Sequence, residues 1–183
     1  MVVAVTERLV LRHFDLSDAE AMERIFGDAD VMFYGHGVQT PSWVRGWLER
    51  CREDYARHSF GLWAVVERAG GEVIGYCGLS QFPDVGGQPE TELGYRLAKS
   101  HWGRGYATEA ACAVRDYAFG TLELPRLICI IDPRNVASIR VADKVGMHYE
   151  KDVVFEGFLD RVYAINRRGQ GHGRKGPLES STI

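Results

Sequence analysis

The sequence lacks the features of several protein classes. It has no apolar run near the roughly 20 residues that a membrane-spanning helix needs. It has only four cysteines, in apolar stretches without C-x-x-C spacing, which argues against a disulfide framework and predicts buried, reduced thiols. No His, Cys, Asp or Glu cluster has metal-ligand spacing, so we expect no metal. The first residues carry charges early and no small-residue cleavage site, which predicts a cytoplasmic protein without a signal peptide.

Charge is distributed unevenly along the chain. The whole sequence has a net charge of −3, whereas residues 167–183 hold four basic side chains and one acidic side chain. The remaining residues are therefore more acidic than the total suggests, which suits a cationic substrate. The tail is rich in glycine and polar residues and has few apolar anchors, so we predict one domain over residues 1–166 and a flexible basic tail over residues 167–183. A solvated tail is favoured over a nucleic-acid contact.

The hydrophobic pattern predicts strands and helices mixed in one α/β domain. Residues 5–14 alternate like a first strand. Thr40 and Pro41 are residue types that begin helices, and apolar side chains then recur at helical spacing from Val44 to Tyr55. Further on, a helix of small residues lies between two apolar strands, which implies a right-handed crossover. The order β-α-α-β-β-β-α-β-α-β-β gives about seven strands and about four helices.

The stretch SHWGRGYATEA, residues 100–110, places Gly103 and Gly105 on either side of Arg104, directly before a predicted helix. A helix N-terminus has unpaired N–H groups and partial positive charge, so this arrangement suits a phosphate group, although a simple connecting turn has a similar composition. A P-loop would need Lys followed by Ser or Thr, and a dinucleotide fold would need a third glycine where Thr108 stands. Coenzyme A is the remaining phosphate ligand.

These residues resemble the acetyl-CoA signature of the GNAT superfamily of N-acetyltransferases. In the superfamily pattern Gln/Arg-x-x-Gly-x-Gly/Ala, Gly105 and Ala107 match and Trp102 stands in place of Gln or Arg. That tryptophan, between ELGY and GYATEA, is similar to the branch of the ribosomal-protein alanine and serine N-acetyltransferases. NVASIRVADKVGM resembles the same branch's Asn-x-x-Ser-x-x-x-x-Glu-Lys-x-Gly-Phe, with Asp143 and Met147 as departures. The resemblance covers about residues 5–165.

The resemblance implies a single GNAT-type domain with acetyl-CoA as co-substrate. Its central mixed β-sheet would be splayed where the strands before and after the central helix separate. Asn135 would bind the pantetheine arm near the thioester. The backbone of one strand would bind the rest of that arm, and the glycine loop would bind the pyrophosphate. The strand residues are Tyr95, Arg96 and Leu97, and the loop residues are Trp102, Gly103, Arg104, Gly105, Tyr106, Ala107 and Thr108.

Acetyl transfer to an amine needs a neutral nucleophile, a polarised carbonyl and a protonated thiolate. Glu92 is the candidate base, because it lies on the strand assigned to the cofactor; Glu90, His36 and ordered water are the alternatives. A base would matter most at low pH, where the amine is protonated. Ser138 is the candidate acid, because Ala142 stands where many superfamily members have a tyrosine. Ser138 could also serve only at the start of a helix.

The predicted function is an N-acetyltransferase that moves an acetyl group from acetyl-CoA to a primary amine by direct attack in a ternary complex. A protein N-terminal α-amine is the favoured acceptor. A small amine, such as an antibiotic or polyamine, is the alternative acceptor, and a non-catalytic acyl-CoA sensor domain is the alternative function. We expect no membrane or nucleic-acid partner, and either a monomer or a homodimer.

Overall fold

The computed structural model describes residues 1–167. The first predicted strand forms two short ones, β1 (Val2–Val5) and β2 (Leu9–Arg12), which pair antiparallel. The chain reverses between them because the Thr6 amide donates to the Leu9 carbonyl and the Leu9 amide donates to the Thr6 hydroxyl oxygen. The turn residues include no glycine or proline, so the sequence pattern does not reveal it.

Four α-helices occur within residues 1–167: α1 (Ala19–Phe26), α2 (Pro41–His58), α3 (Tyr106–Gly120) and α4 (Val136–Val145). Thr40 begins α2 as predicted, since its hydroxyl oxygen accepts the Trp43 amide hydrogen at 3.2 Å. The apolar positions of α2 face the core as their spacing predicts; the buried ones are Val44, Trp47, Leu48 and Cys51. No helix in this part of the chain is long and apolar enough to span a membrane.

One mixed sheet forms the centre of the domain, with the strand order β1-β2-β3-β4-β5-β6-β8-β7. Its eight strands compare with the seven predicted, and the extra strand results from the division at Thr6. Among the strands of residues 1–167, only β5 and β6 are parallel to each other, and α3 connects them in the chain. The further strands are β3 (Leu62–Glu67), β4 (Val73–Phe82), β5 (Glu90–Leu97), β6 (Arg126–Ile131), β7 (His148–Phe155) and β8 (Phe158–Asn166).

Helices cover both faces of this sheet, with a separate apolar cluster under each layer. Side chains of α3 and α4 pack with Trp63 and Leu93 in the larger cluster. Side chains of α1 and α2 pack with Phe14 and Ala64 in the other. The four cysteines are free thiols as predicted; three of them are buried, whereas Cys112, also predicted to be buried, is partly exposed.

The sheet opens at its centre, between β5 and β6. β4 stays in register with β5 from Gly75 to Phe82, and β6 with β8 from Arg126 to Ile131. Between β5 and β6, by contrast, the register consists of the pair Glu92 and Ile128. Beyond that pair the two backbone edges separate, which is the splayed arrangement that the resemblance implies.

The packed domain ends at or beyond Arg167. Its amide donates to the Pro125 carbonyl at 2.9 Å, and its guanidinium lies 3.0 Å from the Glu123 carboxylate. Arg167, assigned to the flexible tail, thus contacts the domain. The rest of the predicted tail, residues 168–183, lies outside the described residues.

Candidate active site

Gly103 and Gly105 give the loop before α3 its shape. Their φ angles are 71° and 82°, the left-handed region that glycine adopts without strain. Gly105 is the residue that immediately precedes α3. A Cβ at Gly103 would meet no atom within 4 Å, and one at Gly105 would meet an Arg8 nitrogen at 3.4 Å. The glycines are therefore needed for the turn itself, and the turn exposes the N-terminus of α3.

A cleft of about 400 Å³, here called the loop cleft, lies between this loop and α4. It runs from the exposed end of α3 to the β5 side of the sheet opening. An elongated anionic ligand with its phosphates at the helix end would fit this shape. Most of the residues predicted to bind the cofactor line it: Tyr95, Arg96, Trp102, Gly103, Gly105, Tyr106, Ala107, Thr108 and Asn135.

Two of the predicted cofactor residues, Leu97 and Arg104, do not line the loop cleft. The Leu97 side chain is buried in the core, and its carbonyl accepts the indole N–H of Trp102 at 2.9 Å. The Arg104 guanidinium lies 3.6 Å from Glu67 and 4.9 Å from the centre of the Tyr106 ring. Arg104 thus supports the loop from behind instead of facing the cleft.

Arg8, in the turn between β1 and β2, holds the same loop and was missed in the sequence analysis. Its guanidinium donates to the Arg104 carbonyl at 2.9 Å and pairs with Glu109 of α3 at 2.6 Å. It also lies 4.4 Å from the centre of the Tyr106 ring. Glu109 accepts further hydrogen bonds from the Thr6 hydroxyl and the Arg8 amide, and its pKa is lowered despite partial burial. The turn between β1 and β2 therefore holds the loop in place, although the two segments lie about a hundred residues apart in the sequence. No local sequence pattern reveals such a contact.

Two further cations, Arg140 and Lys144, line the loop cleft from α4. They lie one helical turn apart, on the same side as Ser138 and Val141. Their i, i+4 spacing within the NVASIRVADKV segment is the signal that could have identified them. Together they place positive charge opposite the N-terminus of α3.

Glu92 and Ser138, the two candidate catalytic residues, line one cavity of about 220 Å³ at the sheet opening, here called the central cavity. They belong to β5 and α4, and both border the space that opens where β5 and β6 separate. Burial raises the pKa of Glu92 from 4.5 to about 7, and the nearby Glu156 and Asp160 carboxylates act in the same direction. A carboxyl with this pKa exchanges protons readily near neutral pH.

Asn135 and Ser138 have different roles at the start of α4. Asn135 is the cap, because its side-chain oxygen accepts the Ser138 amide hydrogen at 3.1 Å. The Ser138 hydroxyl takes no part in that cap. It accepts a hydrogen bond from the Tyr95 hydroxyl at 3.0 Å instead.

A third cavity, of about 290 Å³, lies on the other side of Glu92, between the loop after α1 and the β7–β8 hairpin. We call it the acidic cavity, because four carboxylates and two guanidiniums line it together with aromatic rings. Tyr34 and Arg96 line all three cavities and so mark where they meet. The carboxylates are Glu92, Asp132, Glu156 and Asp160, the guanidiniums Arg96 and Arg134, and the rings include Phe33, Tyr34, Phe82, Phe155 and Phe158.

Contacts within the acidic cavity engage two of its carboxylates and leave the other two without a side-chain partner among the described residues. Arg134 neutralises Asp132 at 2.6 Å, and His36 contacts Glu156 at 2.8 Å. Asp160 forms no ion pair in this part of the chain, and burial together with Asp132 raises its pKa. The other is Glu92, which lies in the field of Arg96 without contacting it.

Two of the alternative bases named from the sequence, Glu90 and His36, do not line the central cavity that Glu92 lines. Glu90 is buried in an ion pair with Arg126 at 3.1 Å and also accepts a hydrogen bond from Gln88 at 2.6 Å. It is therefore a structural carboxylate, although it shares a strand with Glu92. His36 lines the acidic cavity but not the central one. Among residues 1–167 no three His, Cys, Asp or Glu side chains are arranged to hold a metal ion, and the expectation of no metal stays a prediction.

Sequence comparisons place the chain among known acetyltransferases. The family model of the acetyltransferase (GNAT) domain matches residues 8–148. The chain is 38% identical over 150 residues to the uncharacterized protein YkkB of Bacillus subtilis, covering 81% of this chain and 87% of that protein. It is 30% identical to the uncharacterized N-acetyltransferase p20 of Bacillus licheniformis, covering 87% and 97%. It is also 26% identical to the spermidine N(1)-acetyltransferase of Escherichia coli, covering 84% and 80%.

Solved structures show the same fold. An acetyltransferase from Agrobacterium tumefaciens superposes with a TM-score of 0.80 at 30% identity, covering 91% of this chain and 94% of that one. A coenzyme A complex of RimL, the ribosomal L7/L12 α-N-protein acetyltransferase, superposes with a TM-score of 0.76 at 16% identity, covering 91% and 98%. The chain therefore belongs to the GNAT family and is an acetyl-CoA-dependent acetyltransferase.

Proposed function

We propose that this enzyme transfers the acetyl group of acetyl-CoA to the primary amine of a small cationic acceptor, by direct attack in a ternary complex. The loop cleft would hold the pyrophosphate and pantetheine, the central cavity the thioester, and the acidic cavity the amine. Glu92 would take the proton that the amine loses, and Ser138 would donate a hydrogen bond to the departing sulfur.

The observation that carries the proposal is the position of Glu92 and Ser138 in one cavity at the sheet opening. Glu92 also lines the acidic cavity, and Ser138 also lines the loop cleft. Glu92 is therefore shared by the proposed thioester and amine sites, and Ser138 by the proposed thioester and pantetheine sites. A binding module that only senses acyl-CoA has no need for a carboxyl with a pKa near neutrality at that point.

The opening between β5 and β6 also supplies groups for the thioester. Beyond the pair of Glu92 and Ile128, the edges of β5 and β6 that face each other form no ladder. Backbone N–H groups on such an edge can bind the pantetheine amides and the oxyanion that develops on the carbonyl. Removal of one oxyanion donor from an enzyme typically costs about 2.7–4 kcal/mol of transition-state stabilisation.

The acidic cavity supports a small cationic amine as the acceptor. Its four carboxylates outnumber its two guanidiniums, and aromatic rings line the rest of it. An amine that carries a second cationic group could place one nitrogen near Glu92 and the other near Asp160. The likeness to spermidine N(1)-acetyltransferase supports the same class. The protein N-terminal α-amine, favoured by the resemblance to the ribosomal-protein branch, is the alternative acceptor.

A mass-spectrometric screen of acetyl transfer tests the proposal. Wild-type enzyme would be given acetyl-CoA with diamines, matched monoamines of equal chain length, and peptides with varied N-termini. We expect acetylated diamines at the highest kcat/KM. If only the peptides are acetylated, the acceptor is a protein N-terminal amine instead of a small cationic amine. If acetyl-CoA binds but no acetyl group is transferred, the sensor function is supported.

Two variants test the proposed roles of Glu92 and Asp160. Glu92→Gln is expected to lower kcat by about 10²-fold or more while the KM for acetyl-CoA stays unchanged, the effect of losing a general base. Glu72→Gln, on the exposed turn between β3 and β4, is the matched control. Asp160→Asn is expected to raise the KM for the diamine and leave that for the monoamine unchanged. Equal effects on both amines would contradict a second cation site at Asp160.

A further inference from the structure

Tyr95 connects β5 to Ser138 across the sheet opening. Its side chain packs on the α3 and α4 side of the sheet with Leu93 and Leu97, whereas Glu92 lies on the other face. Its hydroxyl donates to Ser138 Oγ at 3.0 Å. Burial raises the pKa of Tyr95, so the phenol keeps its proton throughout the neutral range and remains a donor.

This hydrogen bond determines what the Ser138 hydroxyl can do. A serine hydroxyl has one hydrogen to donate and two lone pairs to accept with. Since Tyr95 occupies the oxygen as a donor, the serine hydrogen is left for another acceptor. Within residues 1–167, no protein group accepts it.

The usual acceptor for a helical serine is the carbonyl four residues earlier, which here belongs to Arg134. That carbonyl already accepts the Tyr34 hydroxyl at 3.2 Å and the Val136 amide at 2.9 Å. Because both of its lone pairs are in use, back-bonding into the helix is disfavoured for Ser138. The hydroxyl hydrogen is therefore available to a group in the central cavity.

We propose that Tyr95 is a positioning residue: its hydroxyl orients the Ser138 hydroxyl as a donor toward the sulfur of the departing coenzyme A. This inference rests on the proposed function. In the step, the amine nitrogen forms the C–N bond, the C–S bond breaks with its electron pair on sulfur, and Glu92 takes the amine proton. The chain from Tyr95 through Ser138 to sulfur stabilises the thiolate by hydrogen bonding. A thiol pKa near 8.5 lets the sulfur leave as the anion and take its proton from solvent.

The test is a double-mutant cycle on the active enzyme. Tyr95→Phe keeps the packed ring and removes the hydroxyl, and is expected to lower kcat about 3- to 10-fold with both KM values unchanged, the range for one neutral hydrogen bond. Ser138→Ala is expected to lower kcat at least as much. In the Ser138→Ala background, Tyr95→Phe should cost no further rate, because its partner is gone.

The control is Tyr149→Phe, which removes a hydroxyl from an exposed tyrosine of β7 and should leave kcat unchanged. Acetyl-CoA affinity by calorimetry and the melting temperature show whether each variant still folds and binds. Losses that multiply in the double variant, or an unchanged kcat for Tyr95→Phe, would overturn the role of Tyr95. If wild-type enzyme acetylates no amine, the proposed function fails instead, which is a different result.

Discussion

Replacing Glu92 by glutamine should stabilise the protein at alkaline pH while it removes activity. Burial raises the pKa of Glu92 from 4.5 to about 7, so the folded protein holds this proton more tightly than the unfolded chain does. The resulting stability is fully present below pH 4.5 and is lost as the pH rises through about 7. A neutral glutamine of the same shape carries no such penalty.

The size of the effect follows from the two pKa values. Each pKa unit corresponds to about 1.36 kcal/mol, and the integrated difference in the free energy of unfolding between pH 5 and pH 8 is about 2–3 kcal/mol. The free energy of unfolding of Glu92→Gln should therefore rise relative to wild type by about that amount between the two pH values. An uncharged side chain that packs slightly differently would shift both values together and leave this difference intact.

Urea unfolding at pH 5 and pH 8 measures this difference, and Glu72→Gln is the control for a surface carboxylate. A gap between wild type and Glu92→Gln that does not change with pH would show that Glu92 ionises as easily in the folded protein as in the unfolded chain. Burial would then not raise the pKa of Glu92. A constant slope of free energy against urea in all samples is the check that the unfolded state is comparable.

The pH dependence of the activity of Glu92→Gln provides a second test of the raised pKa. With a pKa near 7, only about a tenth of wild-type Glu92 is ionised at pH 6. The rate ratio of wild type to Glu92→Gln should therefore grow from pH 6 to pH 8. From the sequence, a base is expected to matter most at low pH, where the amine is protonated. The raised pKa reverses that expectation, because the base is itself protonated there.

Three other variants test the loop and the helix caps. Gly105→Ala should lower the free energy of unfolding by about 1–2 kcal/mol, because the backbone there is left-handed, and should also weaken acetyl-CoA binding measured by calorimetry. Gly157→Ala, at a φ of 87° in the β7–β8 turn, should lower stability in the same way without weakening binding. Arg8→Gln should weaken acetyl-CoA binding about tenfold, which is the size expected for losing one hydrogen bond to a charged group. Arg68→Gln, which removes hydrogen bonds to the same β1–β2 turn, should leave binding unchanged. Equal losses in both variants would show that the turn, and not Arg8 itself, is responsible. Asn135→Ala should lower the free energy of unfolding by about 0.5–2 kcal/mol, and an unchanged melting temperature would contradict its role as a cap.

Local signals predicted the parts of the fold that depend on neighbouring residues. α2 begins at Pro41 because Thr40 caps it, and both residue types are visible in the sequence. The loop before α3 was found because Gly103 and Gly105 serve a turn of a few residues. The reversal at Thr6 was missed because its hydrogen bonds use the backbone and a threonine hydroxyl rather than a turn-forming glycine or proline.

Contacts between distant segments could not be predicted in the same way. Glu90 and Glu92 are two residues apart on β5 and so lie on the same face of the strand. Glu90 forms an ion pair with Arg126, whereas Glu92 lines a cavity. The difference depends on a strand 36 residues further along the chain. Arg8 holds the loop before α3 for an equally non-local reason, since Glu109 and the Arg104 carbonyl lie next to it only in the folded domain.

If acetyl-CoA binds in the opening between β5 and β6 as proposed, it also helps to keep the domain folded. β1–β5 and β6–β8 form two half-sheets whose register is joined at one pair, and side chains of α3 and α4 pack against both of them. A ligand that lies in the opening contacts both halves and is lost when either unfolds. At a hundred times its dissociation constant, such a ligand adds about 2.7 kcal/mol to the free energy of unfolding. Resistance to proteolysis should therefore rise and fall with the acetyl-CoA concentration, so that a cell short of acetyl-CoA would also retain less of this enzyme.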